Sequence, residues 1–189
     1  MQPNYQLISQ ILTCQKCRLS QSRNLAVPAE IGTRYSGLAI MGEAPGAQED
    51  LKGRPMVGRA GELLERMLTG AGLTRESVMI LNRVRCRPPR NRLQDYPEAT
   101  LNCDEWTQAE LAAYQPSVVV LMGKTALQAV FGKLVGVGET RGMMRQTSEE
   151  FAWGARSWVA TYHPAAALRN PELIPIIIKD LKQAKALLV

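Results

Sequence analysis

Four short segments of the chain are almost continuously apolar, without the alternation of apolar and polar residues that a half-exposed strand shows. Strands of a parallel sheet have this pattern because helices cover both of their faces. The pattern therefore predicts four buried strands, at Leu38 to Met41, Val78 to Asn82, Ser117 to Met122 and Ser157 to Tyr162.

The segments between these strands carry apolar residues at helical spacing. The predicted helices are Ala60 to Ala71, Pro97 to Tyr114, Lys124 to Phe131 and Pro171 to Leu188. Pro175 either marks the start of the last helix or distorts its first turn. Residues 132–144 are predicted to be a flexible insertion. Strands that alternate with helices predict an α/β fold, a three-layer α/β/α sandwich with a central four-stranded parallel sheet.

Polar side chains follow three of the predicted strands at the point where each strand ends: Glu43, Asn82 and His163. Ligands of such sheets bind beyond the carboxyl ends of the strands, so these residues are candidates for one site. Each also has a structural interpretation. A lone glutamate is commonly a surface residue, an asparagine at a strand end commonly forms a turn or cap, and a histidine can be part of a hydrogen-bonded core.

The length and composition fit one globular domain over residues 1–189, because 46% hydrophobic residues can build one sizeable core. The longest apolar runs are far shorter than the roughly 20 residues of a membrane helix, so we expect no membrane association. The N-terminal residues lack the basic start and apolar stretch of a secretory signal. We therefore expect a cytoplasmic protein, in which disulfides are rare.

The chain carries 23 basic and 17 acidic residues, a net charge of +6 that favours a polyanionic partner. The segment 83–92 concentrates this charge, and its two prolines prevent a regular helix. Its arginines are candidates for contacts with DNA phosphates, and the alternative is a solvated basic loop. They are Arg83, Arg85, Arg87, Arg90 and Arg92.

The four cysteines of the chain consist of one close pair and two distant residues: Cys14, Cys17, Cys86 and Cys103. Such a set can surround a metal centre. Zinc and a 4Fe-4S cluster both accept four thiolates, and the spacing does not distinguish between them. Buried free thiols are the structural alternative.

Several motifs occur in order along nearly the whole chain: the pair Cys14 and Cys17, GEAPGAQED at 42–50, GRPMVGRAG at 53–61, LNRVRCRPP at 81–89, Cys103, and YHPAAALRNP at 162–171. On these motifs the chain resembles a family 4 uracil-DNA glycosylase, of the iron-sulfur group of the uracil-DNA glycosylase superfamily. The resemblance implies a DNA repair enzyme that hydrolyses the N-glycosidic bond of uracil, releases free uracil and leaves an abasic site. It also implies a structural 4Fe-4S cluster on the four cysteines.

The resemblance further assigns a uracil pocket to Gly42, Glu43, Ala44, Met56, Asn82 and His163, with Glu43 and His163 catalytic. Leu168 and Arg169, in the loop after His163, are candidates for a wedge that fills the gap left by a flipped nucleotide and for a phosphate contact. Packing at the base of the last helix is the alternative for Leu168. The expected partner is single- or double-stranded DNA that contains uracil, bound by a monomer in the nucleoid.

The chain departs from the family pattern at two positions. Met56 stands where the family typically has phenylalanine, and Ala165 stands where it often has serine. Two alternatives therefore stay open. One is a catalytically weakened iron-sulfur DNA-binding module, of the kind associated with some phage DNA polymerases. The other is a zinc-stabilised nucleotide-binding protein.

Overall fold

The computed structural model describes residues 2–131, 135–141, 144–146 and 157–188. This part of the chain contains six strands: β1 Glu30–Ile31, β2 Leu38–Gly42, β3 Val78–Asn82, β4 Val118–Met122, β5 Met144–Gln146 and β6 Ser157–Thr161. They form one sheet in the order β1-β3-β2-β4-β6-β5. The four central strands are parallel to one another, and the two edge strands run antiparallel to their neighbours.

The predicted α/β class and all four parallel strands are confirmed. The number of strands was predicted too low, because the sheet has six strands and not four. The two missed strands contain only two and three residues. A hydrophobic period cannot be recognised over so few positions.

The helices of the described residues are α1 Tyr5–Leu12, α2 Ala47–Lys52, α3 Arg59–Gly70, α4 Glu98–Asn102, α5 Asp104–Tyr114, α6 Lys124–Phe131, α7 Val137–Thr140, α8 Pro164–Ala167 and α9 Leu173–Ala186. The single helix predicted for 97–114 is wrong, because Cys103 separates α4 from α5. Pro175 lies in the first turn of α9, where a missing backbone N–H removes no helical hydrogen bond. The predicted insertion contains α7, and its residues 132–134 and 142–143 lie outside the described residues.

Helices cover both faces of the sheet and bury every residue of the four parallel strands. On one face Leu38 and Ile40 of β2 pack with apolar residues of α3 and α9. On the other face Ala39 and Met41 pack with residues of α5 and α6. This arrangement is the predicted three-layer sandwich, and it leaves the carboxyl ends of the strands uncovered. None of the described helices is both long and apolar enough to cross a bilayer.

Candidate active site at the carboxyl edge of the sheet

A pocket of about 370 Å³ lies at the carboxyl ends of the parallel strands. Glu43 follows β2, Asn82 ends β3, and His163 lies two residues beyond the end of β6. All three of these side chains line the pocket. The structure thus brings together the three polar residues that the sequence places at separate strand ends.

Gly42 lies at the centre of this arrangement, because three side chains converge on it. A Cβ atom added to Gly42 would lie 2.5 Å from Cε of Met56, 2.7 Å from Oδ1 of Asn82 and 3.3 Å from Nε2 of His163. The first two distances are shorter than ordinary contacts of a Cβ atom. Any larger residue at position 42 would therefore displace side chains that line the pocket.

Asn82 presents a buried acceptor that has no partner in the described part of the chain. Its side chain is almost fully buried, at 2% exposure, and Oδ1 forms no hydrogen bond there. The backbone carbonyl of Asn82 is held by a hydrogen bond from Nη1 of Arg85. Since leaving a buried acceptor unpaired costs free energy, Oδ1 is an expected site for a donor group of a ligand.

His163 is held as a hydrogen-bond donor toward Gly42. It is the N-cap of α8, and its Nδ1 accepts a hydrogen bond from the backbone N–H of Ala165 at 3.1 Å. A neutral imidazole with Nδ1 as acceptor carries its proton on Nε2, the atom that faces Gly42. Burial lowers the pKa of His163, the charges of Glu43 and Glu49 partly oppose this effect, and Arg169 adds to it. The neutral form is therefore favoured near pH 7.

Glu43 is oriented by a hydroxyl group from helix α6, which follows the neighbouring strand β4. Thr125, in the first turn of α6, donates a hydrogen bond from Oγ1 to Oε2 of Glu43 at 2.6 Å. One carboxylate oxygen is thus fixed toward α6, and the other remains available to the pocket.

Glu49 is a pocket residue that the sequence did not indicate. Its side chain is buried, and Oε1 accepts hydrogen bonds from the backbone N–H groups of Val57 at 2.9 Å and Gly58 at 2.7 Å. These bonds join α2 to the start of α3 and place a second carboxylate in the pocket wall. In the sequence, only the two adjacent acidic residues at the end of the motif GEAPGAQED, Glu49 and Asp50, could have indicated this role. Both of them are buried in the structure.

Met56 is held in place by its backbone. Its φ angle of 50° lies in the left-handed region, and its carbonyl accepts a hydrogen bond from Nη1 of Arg75 at 2.9 Å. Arg75 also binds the carbonyl of Pro55 at 2.6 Å and the carboxylate of Glu30 at 2.6 Å. Arg75 lies about 20 residues along the chain from this loop, so its role cannot be recognised from the local sequence.

Burial contradicts the predicted phosphate contacts of Arg83 and Arg85. Arg83 is 4% exposed and forms an ion pair with Asp104 at 2.8 Å. Arg85 is 1% exposed, and its Nη2 lies 2.5 Å from the carboxylate of Glu110. Both guanidinium groups are buried beside a carboxylate and therefore cannot reach a phosphate.

The rest of the arginine segment runs past the mouth of the pocket. Arg90 and Arg92 are exposed, Arg87 is partly exposed, and Pro88 and Asn91 line the pocket itself. In the loop after His163, Leu168 is 40% exposed and Arg169 is exposed. Arg59, the exposed first residue of α3, also lines the pocket and was not predicted. Basic groups therefore lie on several sides of its mouth.

Cys86 lies inside the arginine segment, and Cys17 and Cys103 lie close to it. Cys17, Cys86 and Cys103 border one apolar cluster that includes Leu19, Val84 and Leu93. Burial raises the pKa of Cys86 to about 11, Arg23 opposes this shift, and Cys103 and Cys17 add to it. Burial also raises the pKa of Cys103, where Arg85 opposes the shift and Cys17 and Cys14 add to it. Cys17 contributes to the pKa shifts of both Cys86 and Cys103, and Cys14 contributes to that of Cys103.

Two N–H donors point at the sulfur atoms. Nη1 of Arg23 lies 2.9 Å from Sγ of Cys86, and Nε1 of Trp106 lies 3.3 Å from Sγ of Cys14. Within the described residues, no three or more His, Cys, Asp or Glu side chains are grouped tightly enough to hold a single metal ion.

Comparison with known proteins identifies the family. The model of the uracil DNA glycosylase superfamily matches residues 30–186. The chain belongs to this superfamily. It is 36% identical over 182 residues to the Type-4 uracil-DNA glycosylase of Archaeoglobus fulgidus, which covers 94% of this chain and 89% of that protein. It is 38% identical over 177 residues to the Type-4 uracil-DNA glycosylase of Thermotoga maritima, which covers 92% of this chain and 88% of that protein. The resemblance drawn from the motifs is confirmed.

A more distant similarity bears on one of the alternatives. The chain is 26% identical over 158 residues to the DNA polymerase of Bacillus phage SP01, a match that covers 83% of this chain and 16% of the polymerase. Identity to the type-4 glycosylases is higher, and it extends over most of both chains. The similarities therefore favour a type-4 member of the superfamily over a polymerase-associated module.

Both departures from the family pattern lie in the pocket wall. Met56 and Ala165 line the same cavity as Asn82 and His163. Ala165 also supplies the backbone N–H that fixes Nδ1 of His163, a contact that does not depend on its side chain. The replacement at position 165 thus leaves the orientation of the imidazole intact.

Proposed function

We propose that this chain removes uracil from DNA by hydrolysis of the N-glycosidic bond, releasing free uracil and leaving an abasic site. The observation that carries the proposal is the convergence of Oδ1 of Asn82 and Nε2 of His163 on Gly42, beside the carboxylate of Glu43. The names of the type-4 relatives support the same activity.

Recognition of uracil follows from the unpaired acceptor of Asn82. Uracil carries a hydrogen on N3 and a carbonyl at C4, so one amide can accept from the first and donate to the second. Cytosine has an acceptor at N3 and a donor at C4, so with the amide oriented to bind uracil, Oδ1 would face the N3 acceptor and stay buried without a donor. An unpaired polar group of this kind gives strong discrimination between similar ligands.

Two charges develop during cleavage, and the pocket holds a group for each. When the bond between C1′ and N1 breaks, its electron pair goes to the base and leaves a sugar with cationic character. Nε2–H of His163 donates to a carbonyl oxygen of the base as that oxygen gains charge. Glu43 stabilises the cationic sugar and accepts a proton from the water whose oxygen bonds to C1′. Uracil then takes up a proton from solvent.

The base must leave the helix to enter the pocket. Extrusion of a nucleotide costs a few kcal/mol, and a side chain inserted into the stack can offset part of that cost. We assign this role to Leu168, which is exposed in the loop after His163. We assign the phosphate contacts to the exposed arginines around the mouth, and not to the two buried ones. They are Arg59, Arg87, Arg90, Arg92 and Arg169.

We further propose that Cys14, Cys17, Cys86 and Cys103 hold a structural 4Fe-4S cluster. The donor set fits, because Cys17, Cys86 and Cys103 border one cluster, and N–H groups of Arg23 and Trp106 lie against the sulfur atoms of Cys86 and Cys14. Such a cluster supplies cross-links that would brace the segment between β3 and α5. Iron and sulfide analysis tests the assignment, and a colourless protein that contains zinc would contradict it.

The activity is tested with an oligonucleotide that contains one uracil. Incubation followed by alkali should break the strand at the uracil, and chromatography should detect one free uracil for each break. The same oligonucleotide with cytosine should stay intact. Glu43→Gln should reduce the rate strongly, whereas Glu62→Gln, at an exposed position of α3, should leave it unchanged. DNA binding by the wild type without release of uracil would instead favour the catalytically weakened module.

We also propose that the protein acts as a monomer in the cytoplasm, in association with the nucleoid.

A further inference from the structure

A second groove lies on the other side of Glu43 from the uracil pocket. It has a volume of about 400 Å³, similar to that of the pocket. Its lining includes one aromatic ring, one lysine, two amide side chains and two threonine hydroxyl groups. These residues are Tyr96, Lys124, Gln94, Gln128, Thr100 and Thr125.

Glu43 belongs to both cavities, so the groove is continuous with the proposed active site. The carboxylate of Glu43 lines the pocket and the groove, and Thr125, whose hydroxyl holds that carboxylate, lines the groove. A ligand in the groove therefore lies next to the carboxylate of Glu43, which in the proposed mechanism faces the sugar of the extruded uridine. On a DNA strand, the group next to that sugar is the adjoining nucleotide.

The lining has the chemistry that binds a nucleotide. Aromatic rings stack on bases, and Tyr96 lines the groove and is partly exposed. Arg18 lies over one face of its ring, 5.1 Å from the centroid, so a base would contact the part of the ring that Arg18 does not cover. Lys124 is the exposed first residue of α6 and forms no ion pair with any described residue. It is thus available to a phosphate. Gln94 and Gln128 offer donors and acceptors to a base edge without selecting one base.

We propose that this groove binds the nucleotide adjoining the uracil on the same strand, with its base against Tyr96 and its phosphate near Lys124. The inference rests on the proposed function, because the groove adjoins the uracil pocket. It adds to that function that the protein recognises at least two linked nucleotides, the uridine and one neighbour. A neighbour that leaves the stack is held more easily on a single strand, where no partner base has to be given up.

Short substrates test the proposal directly. One series carries deoxyuridine with neighbours on both sides, a second lacks the 5′ neighbour, and a third lacks the 3′ neighbour. The wild type should lose activity when one particular neighbour is removed, which identifies the strand direction in the groove. Tyr96→Ala and Lys124→Ala should each lower kcat/KM about tenfold on substrates that keep this neighbour. On the substrate that lacks it, they should match the wild type.

Matched variants separate stacking and charge from general effects. Tyr96→Phe should keep near wild-type activity because the ring is retained. Tyr5→Ala and Lys179→Ala, at exposed positions of α1 and α9, should change nothing. Lys124→Ala removes an exposed side chain, so it provides a test even if Tyr96→Ala unfolds.

The outcomes distinguish the two proposals. Selective loss on substrates that keep one neighbour supports the groove. Equal rates for wild type and both alanine variants, or an equal drop on all substrates, would overturn the groove and leave the uracil pocket standing. Failure of the wild type to release uracil from any of these substrates would overturn both.

Discussion

Asn82 and His163 face each other across Gly42: a Cβ atom on that glycine would lie 2.7 Å from Oδ1 of Asn82 and 3.3 Å from Nε2 of His163. One atom is a buried acceptor without a partner, and the other carries the proton of a neutral imidazole. An acceptor and a donor that approach the same point can hold one planar base between them. Glu43 lies beside these two residues in the wall of the same pocket.

Replacing Asn82 with aspartate should reduce the rate of uracil release by about 10- to 100-fold. The carboxylate still accepts from N3–H, but it repels the carbonyl oxygen at C4. Single-turnover cleavage of a uracil oligonucleotide measures the effect. Asn4→Asp is the matched control, because Asn4 caps α1 through its side-chain oxygen and aspartate keeps that bond. Cleavage at the wild-type rate by Asn82→Asp would remove the amide from the recognition site.

The single histidine of the chain allows its proton to be located by ¹⁵N NMR without interference. The spectrum should show protonated Nε2 and unprotonated Nδ1, with a pKa below 6.5, because burial disfavours the charged form. Since the folded pKa lies below the unfolded value, the stability that the neutral ring contributes is present above pH 6.5 and is lost as the pH falls through the folded pKa. A protonated Nδ1 at neutral pH, or a pKa above the ordinary value, would contradict the assignment.

Replacing Met56 with phenylalanine should keep kcat/KM or raise it by up to about tenfold, because a ring stacks on a base better than a thioether does. Met56→Val should reduce stability by about 1–3 kcal/mol, since a β-branched residue is poorly tolerated at a φ of 50°. Steady-state kinetics and urea unfolding measure the two effects. Complete loss of activity in Met56→Phe would show that this wall of the pocket is built differently.

Replacing Arg85 with methionine should destabilise the protein by about 3–5 kcal/mol, because it leaves the carboxylate of Glu110 buried without its partner. The double variant Arg85→Met with Glu110→Leu should recover much of this loss. Arg92→Met breaks only an exposed ion pair with Asp95 and should cost less than about 1 kcal/mol. Urea unfolding gives all three values. If Arg85→Met were as stable as the wild type, the buried pair would have no structural role.

Arg85 also connects stability to activity, because its Nη1 binds the backbone carbonyl of Asn82. In the double variant that bond stays broken even where stability recovers. Uracil release should therefore remain impaired in the double variant, and full recovery of the rate would show that Arg85 does not position Asn82.

The positions of Glu43, Asn82 and His163 could be predicted because they depend on a local feature, the ends of buried parallel strands. Which arginines are buried and which are exposed could not be predicted, because their burial depends on ion-pair partners that lie far away in the sequence. Arg83 and Arg90 look alike in the sequence, yet Asp104 pairs with the first inside the protein and the second is exposed. The same limit applies to Arg75, whose contacts with the backbone at Pro55 and Met56 join segments about 20 residues apart.

The break between α4 and α5 was missed for a different reason. Neither glycine nor proline occurs near Cys103, so the local sequence favours a continuous helix. The helix ends there and restarts at the residue whose thiol is buried beside Cys86. The burial of this thiol is a tertiary feature, and tertiary packing can override local helix propensity.

The central claim is that one uracil base is held by Asn82 and His163 together. The most direct measurement is a titration of the ¹⁵N-labelled protein with free uracil, in which the Nε2 signal of His163 and the side-chain amide signals of Asn82 are followed, with cytosine as the control. Both residues should shift with uracil along one binding curve, and neither should shift with cytosine. If uracil moved only one of them, or neither up to its solubility limit, the claim would be wrong.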